Sequence, residues 1–138
     1  MKIKFPTLIS IILFISSCDT AKKLDGNFSI CEKSQYLEIY FKKDSMRVAS
    51  ENEMVGLSEW RKIEIIDDTL YFESFGEWKE DLKARVDHIS KNNLGLRILE
   101  NENEFTINLM RVTEKIDFEN QKEFWKEFKN RRTKRGCK

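Results

Sequence analysis

The feature that most limits the fold is an alternation of apolar and polar residues, repeated in short segments over residues 26–113. A period of two puts successive side chains on opposite faces of an extended chain, so each segment reads as a half-buried strand. In YLEIYFKK, Leu37, Ile39 and Phe41 share one face, and Tyr36, Glu38 and Tyr40 share the other. In DLKARVDH, Leu82, Ala84, Val86 and His88 face inward, with Asp81, Lys83, Arg85 and Asp87 outward. Lys43-Asp44-Ser45, Asp67-Asp68, Asn92-Asn93 and the stretch 101–103 separate such segments and read as tight turns. Eight strands are expected, at 27–32, 36–42, 46–50, 57–66, 69–74, 81–90, 94–100 and 105–113. Trp60 and Ile63 fall on opposite parities, so the fourth is expected to carry a bulge. Evenly spaced short strands joined by tight turns form a meander that closes as a barrel or folds as a sandwich.

The period then changes. In DFENQKEFWKEFKNRR, Phe118, Phe124, Trp125 and Phe128 fall on one face of a helix, and Glu119, Lys122, Lys126 and Lys129 fall elsewhere. Asp117 suits the N-cap, and Asn120 with Glu123 offers a capping box one turn later. The fold class is thus mainly β: an eight-stranded antiparallel meander followed by one C-terminal α-helix.

The amino terminus reads as an address. Lys2 and Lys4 precede an eleven-residue, mostly apolar run, residues 5–15, which is too short for a bilayer span of about 20 residues. A charged start, a short apolar core and small residues after it describe a secretory signal peptide. The end of the run, Ile15-Ser16-Ser17-Cys18, resembles the lipobox of bacterial lipoprotein precursors. The resemblance implies cleavage before Cys18 and acylation of its thiol with palmitate-type chains. Two or more such chains anchor a protein stably, each methylene contributing about 0.8 kcal/mol. The expected organisation is therefore a signal peptide (1–17), a tether from the lipidated cysteine (18–25), a β-meander (26–113), and a helix with a basic tail (114–138). The expected location is the bacterial cell envelope, lipid-anchored in the outer membrane and facing the periplasm. Asp19 after the cysteine resembles the inner-membrane retention signal of enteric bacteria.

An export signal, a Gly-x-aromatic at the first strand, eight meandering strands and one terminal helix together resemble the lipocalin-like family. Gly26-Asn27-Phe28 stands where that family has Gly-x-Trp, and Arg111 stands where its last strand carries an arginine packed over the aromatic. The resemblance implies a barrel that binds a small apolar ligand or lipid at its mouth, placed here near Trp60, Trp78 and His88. The inward positions are nearly all large, among them Phe28, Ile30, Leu37, Phe41, Phe72, Ile98, Phe105 and Ile107, with Ala84 the small exception. An eight-stranded barrel is just wide enough for such side chains to fill it. A mostly filled core with a shallow cleft at one mouth is expected.

Chemistry is sparse. His88 is the one histidine, and it suits a rim or core position better than an acid–base pair. With Cys18 acylated, Cys31 and Cys137 are too few for a usual zinc site, and no metal or cofactor is expected. No Gly-x-Ser-x-Gly surrounds a serine, and the five glycines form no phosphate-cradling loop. Glu77 and Glu80-Asp81 read as solvated charges. A non-enzymatic protein is expected. The alternative to ligand binding is a protein-interaction, inhibitor or immunity-type lipoprotein acting through its surface and basic tail.

Removing residues 1–17 leaves 23 basic and 24 acidic residues, a balance that hides an asymmetry. Six cations and no acid occupy residues 129–138. Arg131, Arg132, Lys134 and Arg135 could meet an anionic surface; a helix C-terminus also favours cations through its dipole. Nucleic acid is not an expected partner of an exported domain with an acidic body. Topology adds one pairing. In a closed meander the last strand ends beside the start of the first, and a helix folding back brings the tail toward Cys31, whose parity faces out. A Cys31–Cys137 disulfide is then expected in an oxidising compartment.

Overall fold

The computed structural model describes residues 24–76 and 78–138, so the expected signal peptide, Cys18, the expected tether up to residue 23, and Glu77 lie outside the described residues. Nine antiparallel strands form one sheet: β1 Gly26–Glu32, β2 Gln35–Lys42, β3 Ser45–Ser50, β4 Arg61–Lys62, β5 Glu64–Ile66, β6 Thr69–Glu73, β7 Asp81–Ile89, β8 Asn93–Glu100 and β9 Asn103–Val112. Their order is β4-β3-β2-β1-β9-β8-β7-β6-β5. The first strand therefore pairs with the last, Phe28 opposite Arg111, as a closing meander requires.

The count is nine rather than eight because the expected fourth strand is broken at Ile63. Arg61 and Lys62 pair with β3, Glu64 to Ile66 pair with β6, and Leu57 touches Ala49 through a single bridge. The two edges of the sheet are thus halves of one segment, and the barrel is nearly closed across that break. Ile63 turns its buried side chain into the core while its N–H donates to Asp44 O at 2.8 Å. Arg61 completes the seam, donating to Glu73 Oε1 at 3.3 Å and to Ser74 O, with its guanidinium over the Phe75 ring.

Alternation sorts the core as read. Phe28, Ile39, Phe41, Met46, Val48, Leu70, Ala84, Val86, Leu96 and Leu109 are buried inside. His88 breaks the pattern. A bulge between Val86 and His88 shifts the register, so His88 pairs with Gly95 on the outer face and its ring lies over that glycine. The extra residue of a bulge reverses parity beyond it. His88 is exposed, contrary to the inward position expected of it.

α1, Gln121–Lys134, packs outside the barrel over β2. Asn120 is its N-cap, accepting from Glu123 N at 3.1 Å, while Asp117 shapes the preceding turn by accepting from Glu119 N at 2.9 Å. Phe124, Phe128 and Arg131, at i, i+4 and i+7, form its buried stripe. Gly136, at φ 72°, turns the chain back after the helix. Cys137 then meets Cys31, with the two sulfurs bonded at 2.03 Å.

Candidate functional site

The two ends of the barrel differ. At the end where the chain enters, Leu24 is buried and packs into the same core as Phe28. The Arg111 guanidinium lies 4.6 Å over the Phe28 ring. It donates to the carbonyls of Lys91 at 2.7 Å, and of Asp25 and Ser90 at 3.4 Å. A glycine is required at position 26: its φ is 110°, and a Cβ would sit 2.2 Å from Arg111 Nη1. This aromatic–arginine packing is the one the resemblance implies for Gly26-Asn27-Phe28 and Arg111. It seals that end.

The other end has no such plug. Ile30, Leu37, Phe72, Ile98 and Ile107 face inward but are only half-buried, and Phe105 is 49% exposed. Leu37, Phe72, Ile98 and Ile107 surround a cup of about 240 Å³ floored by Ile39, Met46, Val48, Leu70 and Leu96, with Val55 and Phe75 leaning in from loops. Every side chain in the lining is apolar. The expectation of a mostly filled interior with a cleft at one mouth is met: the sealed half is packed, and the hollow is confined to the other end. Large inward residues fill a barrel only where something caps them, and Leu24, Phe28 and Arg111 cap a single end.

The expected mouth residues are not brought together. Trp78 is 80% exposed in the loop from β6 to β7, at the open end. His88 is on the outer face near the opposite end of β7. Trp60 stands on the outer wall, its ring 5.6 Å from Phe118 and its face under the Arg47 guanidinium at 5.3 Å. It anchors the chain leading into α1. Burial holds the Arg47 guanidinium below its ordinary pKa.

The tail is also placed differently. Arg131 is 6% exposed and points under the helix, so it is not a surface cation. Its Nε and Nη2 donate to Glu38 Oε1 and Oε2 at 2.7 and 2.9 Å. Glu38 is fully buried and also accepts from Tyr36 Oη at 2.6 Å and from Tyr40 Oη. Burial, and then the hydrogen bond and charge of Glu38, raise the Tyr36 phenol above the ordinary tyrosine range. Burial, and then the charge and hydrogen bond of Glu38, do the same to Tyr40. Burial alone works against the Arg131 charge, yet Glu38 raises its pKa on balance. Arg132 pairs with Glu51, Lys134 lies 3.6 Å from Glu114, and Arg135 donates to Ser29 O at 3.4 Å. The stretch that reads as a free basic block is largely engaged in holding the helix.

This Tyr-Glu-Tyr and arginine cluster has no counterpart among the sequence-derived candidates. Its signals were two: a glutamate between tyrosines on a strand, and an arginine continuing the Phe124–Phe128 stripe. The two β2 tyrosines occupy one side of the Glu38 carboxylate and Arg131 ties the other to α1, which makes the cluster structural. Among the described residues no group of three or more His, Cys, Asp or Glu side chains gathers as a metal site. No family model matches the chain, and no curated protein or solved structure matches it.

Proposed function

We propose that this chain is a membrane-anchored, non-enzymatic envelope lipoprotein whose lipocalin-like barrel holds the apolar end of a small ligand. The observation that carries the reading is the apolar cup at the unsealed end. A cavity of roughly 150 Å³ lined by aliphatic and aromatic side chains stays dry and takes benzene. One of about 240 Å³ suits a somewhat larger group, such as the end of an alkyl chain, with the head left at the mouth. Leu24 packs at the sealed end, so the chain enters the barrel opposite the mouth, and an anchor on Cys18 would leave the mouth open to the aqueous side. The ligand is then met from the aqueous side.

Filling the cup tests this. Ile107→Trp puts bulk into the cavity without touching the outer wall. A hexanol titration of the full chain, followed by methyl NMR of Leu37 and Ile98, should saturate for the native protein and not for the variant. Unchanged methyl signals in the native protein would remove the ligand reading. Anchoring is tested separately. Cys18→Ala should accumulate as an uncleaved precursor, and normal processing of that variant would rule out lipoprotein maturation.

A second reading rests on Trp78, 80% exposed, and Met54, 64% exposed, both in loops at the open end. Exposed aromatic and methionine side chains are enriched in protein contacts. In that case the rim, not the cup, meets a partner.

A further inference from the structure

The apolar interior of the open half ends abruptly at its rim, where the strand register places a different set of side chains. One inner-face step beyond Ile30 on β1 is Glu32, and beyond Ile98 on β8 is Glu100. On β7 the inner-face position before Leu82 is Glu80, held by its carbonyl accepting from Ser74 N at 2.8 Å. The corresponding positions on β2, β3, β6 and β9 are Gln35, Ser50, Ser74 and Asn103. Seven positions therefore encircle the mouth, carrying three carboxylates and no cation. Glu32, Glu80 and Glu100 are exposed, and none of them joins an ion pair among the described residues. The nearby cations are turned to other work: Arg61 and Lys79 face Glu73, and Arg132 faces Glu51. Lys33, in the β1–β2 turn, lies outside those ion pairs and is the chain neighbour of Glu32.

From this juxtaposition of an apolar cup with a glutamate ring, we infer that the cup selects single-chain amphiphiles with a cationic head and rejects carboxylates such as fatty acids. The inference rests on the ligand-binding reading above and adds the class of head group. An alkyl chain entering the cup places its head at the level of the ring. There an ammonium is attracted by three carboxylates and a carboxylate is repelled by the same three. A head held within about 8 Å of these carboxylates would still feel them at physiological salt, and on that footing the two heads should differ by roughly tenfold in affinity.

The test uses the full chain, purified as the cell produces it, and three probes of one chain length: hexylammonium, hexanol and hexanoate. Methyl NMR of Leu37, Ile98 and Ile107 reports occupancy of the cup itself, which separates it from partition elsewhere. Hexylammonium should bind about tenfold more tightly than hexanoate, with hexanol between them. Added salt, or the triple change Glu32→Gln, Glu80→Gln and Glu100→Gln, should bring the two charged probes together. Hexanoate binding as well as hexylammonium, or an unchanged ratio in the triple variant, would overturn the inference while leaving the cup as a ligand site. Silence from all three probes would remove both the ligand reading and the inference built on it.

Discussion

Arg131→Met removes the inner partner of a charge that has no access to water. Arg131 supplies two of the four hydrogen bonds to Glu38, at 2.7 and 2.9 Å, and Glu38 is 0% exposed. Methionine fills similar volume, so packing is largely kept and the loss is electrostatic. Two hydrogen bonds to a charged group at about 1.5–3 kcal/mol each give about 3–6 kcal/mol. Breaking buried ion pairs by removing one partner costs about 3–5 kcal/mol, which agrees. For a domain of this size that loss lowers Tm by about 12–20 °C, at roughly 4 °C per kcal/mol. Urea unfolding followed by near-UV circular dichroism would measure it, with the Cys31–Cys137 bridge intact. Arg131→Lys keeps the charge but not the two-pronged geometry, and should recover only part of the loss. A loss under about 1 kcal/mol for Arg131→Met, the range of exposed pairs, would refute the buried clamp.

Alkaline pH should weaken the same contact. The Tyr36 and Tyr40 phenols are raised in the folded chain, so their contribution is complete below the unfolded value near 10 and falls as pH rises above it. The two together should lose about 2.7 kcal/mol per pH unit there, and urea midpoints that stay flat to about pH 11 would contradict the shift. Cys137→Ser should cost about 2–5 kcal/mol by freeing the end of α1. Without reductant neither Cys31 nor Cys137 should alkylate in the native chain, and labelling of both would mean no bridge. Gly26→Ala forces a Cβ against Arg111 at a φ of 110° and should lower stability by about 1–3 kcal/mol, measured by urea unfolding; no change would mean that residue 26 does not hold that backbone conformation.

The strands were legible because alternation is a local signal, and one buried face makes register strict. Seven of the eight expected segments match observed strands to within two residues at either end. The fourth was legible as irregular, but not as the seam of the barrel, since closure depends on which edges meet. His88 was misplaced by a single extra residue: nothing in DLKARVDHI announces that a bulge comes after Val86. The disulfide followed from topology, because the closing β1–β9 pair fixes where the helix must return. The Glu38–Arg131 clamp was hidden for the opposite reason. A glutamate and an arginine 93 residues apart look like ordinary solvated charges until the helix is laid over β2. A cleft at one mouth was legible, but not its size or which end it takes, because side-chain size along a strand does not say how close the opposite wall comes.

The most direct test of the central claim is native mass spectrometry of the chain purified from the cells that make it, beside Ile107→Trp prepared in the same way. The native protein should retain a small amphiphile that the filled variant lacks, released on gentle activation. A native protein that flies ligand-free, with a mass identical in composition to the filled variant apart from the substitution, would contradict a barrel built to hold one.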